Sequence, residues 1–372
     1  MTTASPTVTS FRPEHRSGLM TLWGKYFGEW SADRLEKRWS WQFQTNPFAA
    51  QREPRILIAE HDGAVVGHLA GIPVPLLMDG TKYTALATSG LVVHENHRWL
   101  AMRLMRSMLS DPPVLGRTEH PSTRKLFDSH LAATVAASRT RFVFPLRYSG
   151  WLCRSLRRRI PTALDAIVTP RTVSIIGSIW HPEHKPPVQR MPRLNGTIAD
   201  VRILGDFGPD YEELWARASA HWRYSLDKNA RYMNWRYREC PTLNAVTLGL
   251  YESGRLRAVA VAIECSHRDR SRQPCGSTGE LVELITDDPD HPGLKPLVIK
   301  TMAELNDRGV DTVEAGCLHP SLHPLLERIG FIRGTADVFQ IGMTVNGTAA
   351  SDADADWYYT AGDSDALYSP GL

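Results

Sequence analysis

Two stretches decide how this chain is read, Trp41-Gln-Phe43-Gln-Thr-Asn-Pro47 and Trp235-Arg-Tyr237-Arg-Glu-Cys-Pro241. Both have the skeleton Trp-x-aromatic-x-x-x-Pro. Upstream of each lies a helical patch ending in Leu-Trp, Leu22-Trp23 and Leu214-Trp215, so the spacing is 18 residues (23 to 41) in one case and 20 (215 to 235) in the other. Downstream of each comes a strand, a turn and a strand: Ile56-Leu-Ile-Ala-Glu-His-Asp-Gly63-Ala-Val-Val-Gly67, and Thr247-Leu-Gly-Leu-Tyr-Glu-Ser-Gly254-Arg-Leu-Arg-Ala258. Asp62-Gly63 and Ser253-Gly254 between apolar runs read as hairpin turns. Four features matched in order make a duplicated unit.

Each copy continues alike. A longer strand (Tyr83–Val93, Glu280–Thr286) leads through a polar turn to a helix (Trp99–Leu109, Leu294–Asn306). A further strand (Arg141–Phe144, Thr312–Ala315) and a last helix follow, the second ending Leu325-Leu-Glu-Arg-Ile-Gly-Phe331. The first copy inserts an additional helical stretch at 122–137. The order α-α-β-β-β-α-β-α-β predicts a mixed α/β fold, with a mostly antiparallel mixed sheet and helices on both faces, in two tandem units. The expected division is a disordered N-terminus over 1–9, one unit over 10–180, a Pro-rich linker over 181–197, a second unit over 198–349 and an acidic tail over 350–372, with Trp357-Tyr358-Tyr359 packing back onto the second sheet. The motif aromatics are expected as hydrophobic anchors.

Length and composition agree with this division. The chain has 372 residues, 42% hydrophobic and 22% charged, which suits two globular domains and excludes collagenous or wholly disordered chains. Lys and Arg number 43 against 40 Asp and Glu, a formal +3 that hides a basic middle and an acidic end. Between Asp128 and Asp165 there is no acid, but Arg139, Arg141, Arg147, Arg154, Arg157, Arg158 and Arg159 fall there; from Gly334 onward there is no Lys or Arg. The first residues carry no basic stretch followed by an apolar one, and no apolar run is long enough to span a bilayer. Five scattered cysteines without a Cys-x-x-Cys fit a reducing compartment, so a soluble cytoplasmic protein is expected. No Gly-x-Ser-x-Gly, no phosphate-loop motif and no dinucleotide fingerprint is present, which removes support for hydrolase, kinase and dehydrogenase chemistry.

The order of elements, together with the phrase Leu325-Leu-Glu-Arg-Ile-Gly-Phe331, resembles the GNAT (GCN5-related N-acyltransferase) superfamily over 10–160 and 198–345, as a double-GNAT chain. Tyr232-Met-Asn-Trp235 and the closing Trp357-Tyr-Tyr-Thr-Ala-Gly-Asp363 resemble a bacterial subset linked to glycan or natural-product pathways. Fem-type aminoacyl-tRNA-dependent transferases carry two such units as well. The resemblance implies transfer of an activated acyl group, from acyl-CoA as co-substrate, to a small amine-type acceptor (an amine, amino sugar or hydroxylamine), without a metal. Two alternatives stay open: an aminoacyl-tRNA donor, motivated by the clustered arginines, and a non-catalytic binding module.

In the family a strand runs through a Gly-rich turn into a helix whose N-terminus holds the donor's pyrophosphate. The first copy has His97-Arg98-Trp99-Leu100-Ala101-Met102 there, without glycine; the second has Asp290-His291-Pro292-Gly293-Leu294-Lys295. The resemblance therefore implies donor binding in the second copy, through His291, Gly293, Leu294 and Lys295. The family's base is a middle-strand Glu. Glu283 is the first choice and Glu280 the second, and three residues apart on a regular strand they point to opposite faces. The equivalent strand of the first copy has no acid, only Ser89 and His94 as candidates. No Tyr occupies the position of the family's proton donor. His319 or His323 would serve, with Ser321 capping the helix and completing the donor site.

Overall fold

The computed structural model describes residues 5–26, 31–118, 133–147, 200–268, 274–344 and 357–363. The linker expected over 181–197 and Arg154, Arg157, Arg158 and Arg159 of the basic block lie outside them. Contacts divide the chain into two units that differ from the two sequence copies. Unit 1 comprises Met1–Ser138, Trp222–Thr242 and Val338–Tyr358; unit 2 comprises Arg139–His221, Leu243–Asp337 and Tyr359–Leu372.

The sheet of unit 1 begins with β1 (Thr7–Ser10), β2 (Arg55–His61), β3 (Ala64–Met78) and β4 (Thr81–Val93), antiparallel neighbours in that order. Thr7–Ser10 is thus ordered against β2, a correction to the disordered start expected over 1–9; its pairing satisfies backbone groups that the sequence pattern leaves unassigned. β5 (Val114–Thr118) runs parallel to β4, and residues 340–344, in the distal part of β13 (Ile332–Thr344), pair antiparallel with β5. β8 (Tyr224–Leu226) joins the far end of β3, and β14 (Trp357–Tyr358) joins β8. The helices are α1 (Arg16–Tyr26), α2 (Ala32–Trp39), α3 (Leu100–Leu109) and, from the second copy's motif, a helix at Ala230–Tyr237. Leu100, Leu104, Met105 and Met108 of α3 are buried with Leu57, Leu69, Leu86 and Val114. Each such side chain contributes about 1.5–3 kcal/mol.

Unit 2 repeats the plan. β7 (Asp200–Ile203), β9 (Ala245–Glu252), β10 (Arg255–Arg268) and β11 (Pro274–Thr286) are antiparallel neighbours, β12 (Thr312–Ala315) is parallel to β11, and Phe142–Pro145 of β6 (Ala133–Pro145) closes the sheet antiparallel to β12. Its helices are α4 (Pro209–Ser219), α6 (Leu294–Asp307) and α7 (His323–Ile329); the Ala230–Tyr237 helix of unit 1 is α5. Strand alternation explains the core: Ala258, Ala260 and Ala262 of β10 cluster with Leu294, Leu297, Val298, Met302 and Leu305 of α6. The strands at Arg141–Phe144 and 340–344 thus each close the sheet of the unit that holds the other copy's hairpin. Residues 133–137, expected as the end of a helix, are strand; sheet pairing outweighs the helical preference of Ala133, Ala136 and Ala137.

The motif tryptophans are anchors within unit 1. Trp41 and Trp235 are buried and stacked, with ring centroids 4.5 Å apart and planes at 13°. Each indole N–H donates to the other's carbonyl, at 2.9 and 3.3 Å, so equivalent positions of the two copies meet reciprocally. Both hairpin turns place two residues at positive φ, Asp62 (49°) with Gly63 (75°) and Ser253 (51°) with Gly254 (77°), as the twist of a two-residue hairpin requires.

Candidate functional site

In both units the central strand leaves its parallel neighbour at a bulge. β4 pairs with β5 only through Leu86–Val114 and Ala87–Leu115 and then runs on to Val93. There His68 pairs with Val92 and Ala70 with Ser89, so β4 holds one residue more than β3, and Gly90 takes φ of +65° to accommodate it. β11 pairs with β12 only from Thr278 to Glu280 and runs on to Thr286. There Val261 pairs with Glu283 and Ala262 with Leu281, which leaves Val282 as the extra residue.

That bulge corrects one expectation. Glu280 pairs with Ile263 and Glu283 with Val261, two residues apart on β10 and therefore on one face. The two carboxylates share a face because the extra residue resets the alternation. Glu280 is partly exposed, and with Glu314 and Glu264 it adds to the burial that pushes the Cys265 thiol up to about 12. Glu283 is fully buried and accepts a hydrogen bond from the Thr360 hydroxyl at 2.9 Å. The Thr360 amide in turn donates to Asp363 at 2.9 Å, so residues 360–363 form a short strap on this face.

The N-terminus of α6 is occupied by its own chain. The Gly293 amide donates to His291 Nδ1 (3.0 Å), the Leu294 amide to the His291 carbonyl (3.0 Å) and the Leu297 amide to the Gly293 carbonyl (3.1 Å). Pro296 has no N–H, which leaves the Lys295 amide. Asp288 and Asp290 lie in the turn, and Glu252 stands 3.6 Å from His291 Nε2. Gly293 keeps the helix close to β9: a Cβ there would stand 2.6 Å from a Leu250 methyl.

His319 and His323 flank the start of α7. Ser321 does not cap α7; it lies in the 3-10 turn Pro320–Leu322 ahead of it, which His319 caps, its Nδ1 accepting from the Ser321 amide at 3.3 Å and lying 2.8 Å from the Ser321 hydroxyl. His323 packs on Phe142, with Nε2 3.2 Å from the Leu318 carbonyl and Nδ1 3.4 Å from Arg333. Burial lowers both imidazoles, the neighbouring His323 adding to this at His319 and Arg333 at His323, while the Leu318 carbonyl opposes it at His323. Both shifts favour the neutral imidazole.

Unit 1 has the opposite surroundings. Ahead of α3 stand the exposed Arg98 and three histidines. His97 Nε2 lies 3.0 Å from His61 Nδ1, and His94 Nε2 lies 3.2 Å from Lys25 Nζ. Two acids border this group, Glu95 at 3.9 Å from Lys25 and Asp62 at 3.7 Å from His61 Nε2. Ser89 is buried at the bulge. The residue that the sequence reading missed is His68, on β3, fully buried with Nδ1 2.9 Å from the Gly90 carbonyl. A polar residue inside the otherwise apolar run Val65–Ala70 was the available signal. Two arginines of the basic block have internal work: Arg141 pairs with Glu314 at 2.5 Å, and Arg147 donates to the Gly309 and Asn306 carbonyls after α6, at 3.1 and 3.3 Å.

No protein-family model and no curated protein sequence matches the chain. Solved structures do. N-myristoyltransferase of Saccharomyces cerevisiae, solved with bound myristoyl-CoA, superposes with a TM-score of 0.59 at 11% identity, covering 95% of this chain and 83% of that one. A GCN5-related N-acetyltransferase from Anabaena variabilis gives 0.55 at 14% identity, with 91% and 72% covered. A protein of unknown function from Enterococcus faecalis, described as a probable N-acyltransferase, gives 0.55 at 9% identity, with 91% and 72% covered. The fold is that of two tandem GNAT units. Both helix starts are self-capped by a histidine, His94 and His291; the first unit adds exposed Arg98 and a buried histidine beside its bulge, and the second neighbouring acids and a buried glutamate. Among the described residues, no group of three or more His, Cys, Asp or Glu is placed to hold a metal ion, and no helix is long and apolar enough to cross a membrane.

Proposed function

We propose that this protein is an N-acyltransferase that takes an acyl group from acyl-CoA, bound at the first GNAT unit, and transfers it to a small amine-type acceptor. The GNAT fold and the acyltransferase names of its structural neighbours support acyl transfer. The observation that carries the choice of unit is the contrast in charge between the starts of α3 and α6; at both, a histidine ring and local carbonyls already take amides of the turn. A diphosphate is favoured beside Arg98, Lys25 and the histidines and disfavoured beside Asp288, Asp290 and Glu252. Arg98 supplies charge where the sequence lacks the family's glycines. Chemistry is direct attack of the acceptor nitrogen on the thioester carbonyl, with positioning and backbone N–H groups stabilising the developing oxyanion.

Coenzyme A itself is the test. At 100 times its dissociation constant it should stabilise the protein by about 2.7 kcal/mol, read as a shift in the unfolding midpoint. No shift at millimolar CoA would reject the donor. An aminoacyl-tRNA donor predicts instead RNase-sensitive transfer and binding that weakens steeply with salt. The internal roles of Arg141 and Arg147 reduce its support. Glu283 is the base of the competing arrangement, in which the second unit works and the strap at 360–363 withdraws.

A further inference from the structure

In the first unit, one nitrogen is held in the interior with nothing to do. His68 Nδ1 is 2.9 Å from the Gly90 carbonyl and 3.4 Å from the Trp23 indole N–H. A carbonyl only accepts, so the shorter contact requires the proton on Nδ1, and the Trp23 contact is not a hydrogen bond to that nitrogen. Nε2 then carries a lone pair. It is buried, and it has no hydrogen-bond partner among the described residues. A buried acceptor left unsatisfied costs about 1–3 kcal/mol, which a fold tolerates where the atom has a use.

The surroundings reinforce this. Arg38, 3% exposed, lies over the Trp23 ring at 5.8 Å and donates to Gln42 Oε1 at 3.2 Å. The Gln42 amide nitrogen is likewise buried without a partner among the described residues. Two buried polar atoms without partners among the described residues, on side chains that contact Arg38 and Trp23, thus belong to one polar cluster inside the unit. It lies beside the bulge at Gly90, where β4 leaves β5.

We infer that His68 is the proton acceptor of the first unit, its Nε2 taking the proton from the acceptor nitrogen as that nitrogen attacks the acyl-CoA carbonyl. The C–N bond forms from the amine lone pair, and the C–S bond breaks with its electrons passing to sulfur. The proton held at Nε2 then passes to the CoA thiolate, so the products are an amide and a free thiol and the imidazole is neutral again. Burial lowers this imidazole to about 4, with Arg38 adding to the effect and the Gly90 carbonyl opposing it, so Nε2 is available throughout the neutral range. Around the same hairpin and α1 stand further titratable and charged groups: Glu60 with His15 and Arg12, His61 with Asp62, Arg16 with Glu36, and Lys25 with His94 and Glu95.

The inference rests on the acyl-CoA site proposed for the first unit, and its test separates the two. His68→Asn retains an N–H for the Gly90 carbonyl and removes the Nε2 lone pair. With acetyl-CoA as donor and glucosamine as the amine probe, thiol release should fall about 100-fold or more. Binding of CoA by calorimetry should stay within twofold. Turnover within threefold of wild type overturns the assignment, as does loss of CoA binding by a folded variant; failure of the wild type to bind CoA refutes the proposed function instead. Should the variant not fold or the probe not react, 15N NMR of histidine-labelled wild-type protein decides. A histidine that stays neutral to pH 5 with its proton on Nδ1 is expected, and a proton on Nε2 overturns the inference.

Discussion

The two units share a bulge at the point where the central strand leaves its parallel neighbour, and they put different chemistry beside it. In the first, a buried imidazole on the adjacent strand touches the bulge carbonyl, and the helix beyond begins among Arg98, Lys25 and three histidines. In the second, a buried carboxylate sits on the bulge under Thr360, and the helix beyond is closed by His291 and bordered by acids. Duplication preserves backbone geometry because the sheet needs it; side chains at the junction are free to diverge. Gly293 also answers to packing: it admits Leu250, and its amide donates to His291.

The sharpest way to break this contrast is a paired substitution. Glu283→Gln should leave turnover within about threefold, whereas a fall of ~10²–10⁴ would place the chemistry in the second unit. Next in size is a pH effect on stability. His68 is lowered to about 4 when folded, against 6.5 in the unfolded chain. The unfolded state therefore binds the extra proton between those values, and stability is complete above pH 6.5 and lost as pH falls toward 4. The loss should reach about 3 kcal/mol, read from urea midpoints at pH 7.5 and 4.5, with His319 and His323 contributing in the same direction. His68→Asn should flatten that slope.

Gly293→Ala should cost about 1–3 kcal/mol of stability through overpacking against Leu250, without changing CoA affinity in the folded protein. A loss of CoA affinity at unchanged stability would return the donor to α6. The smallest effect separates the two helix starts directly. Arg98→Glu should weaken CoA about tenfold by titration calorimetry, more so at low salt, while Lys295→Glu changes it less than twofold. Equal losses would erase the contrast.

Much of the architecture was legible because it rests on local signals. The Trp-x-aromatic-x-x-x-Pro stretches, the Leu-Trp patches and the two turns at Asp62-Gly63 and Ser253-Gly254 all appear where the spacing put them. Two elements were misread for physical reasons. Ala133–Ala137 has helix-forming residues but is drawn into a strand that continues to Pro145, and a bulge of one residue turned Glu280 and Glu283 onto the same face. Neither pairing partners nor an inserted residue shows in a pattern of period two.

By itself, then, the sequence determined the repeat, the class of fold, the buried aromatic anchors and the kind of chemistry to look for, since each depends on residue type and short-range spacing. Tertiary structure alone decided which strand closes which sheet, which charged groups surround each helix start, and that His68 lies against the Gly90 carbonyl. Those outcomes depend on contacts between residues far apart in the chain, where burial and hydrogen-bond satisfaction are settled only once the sheets have formed.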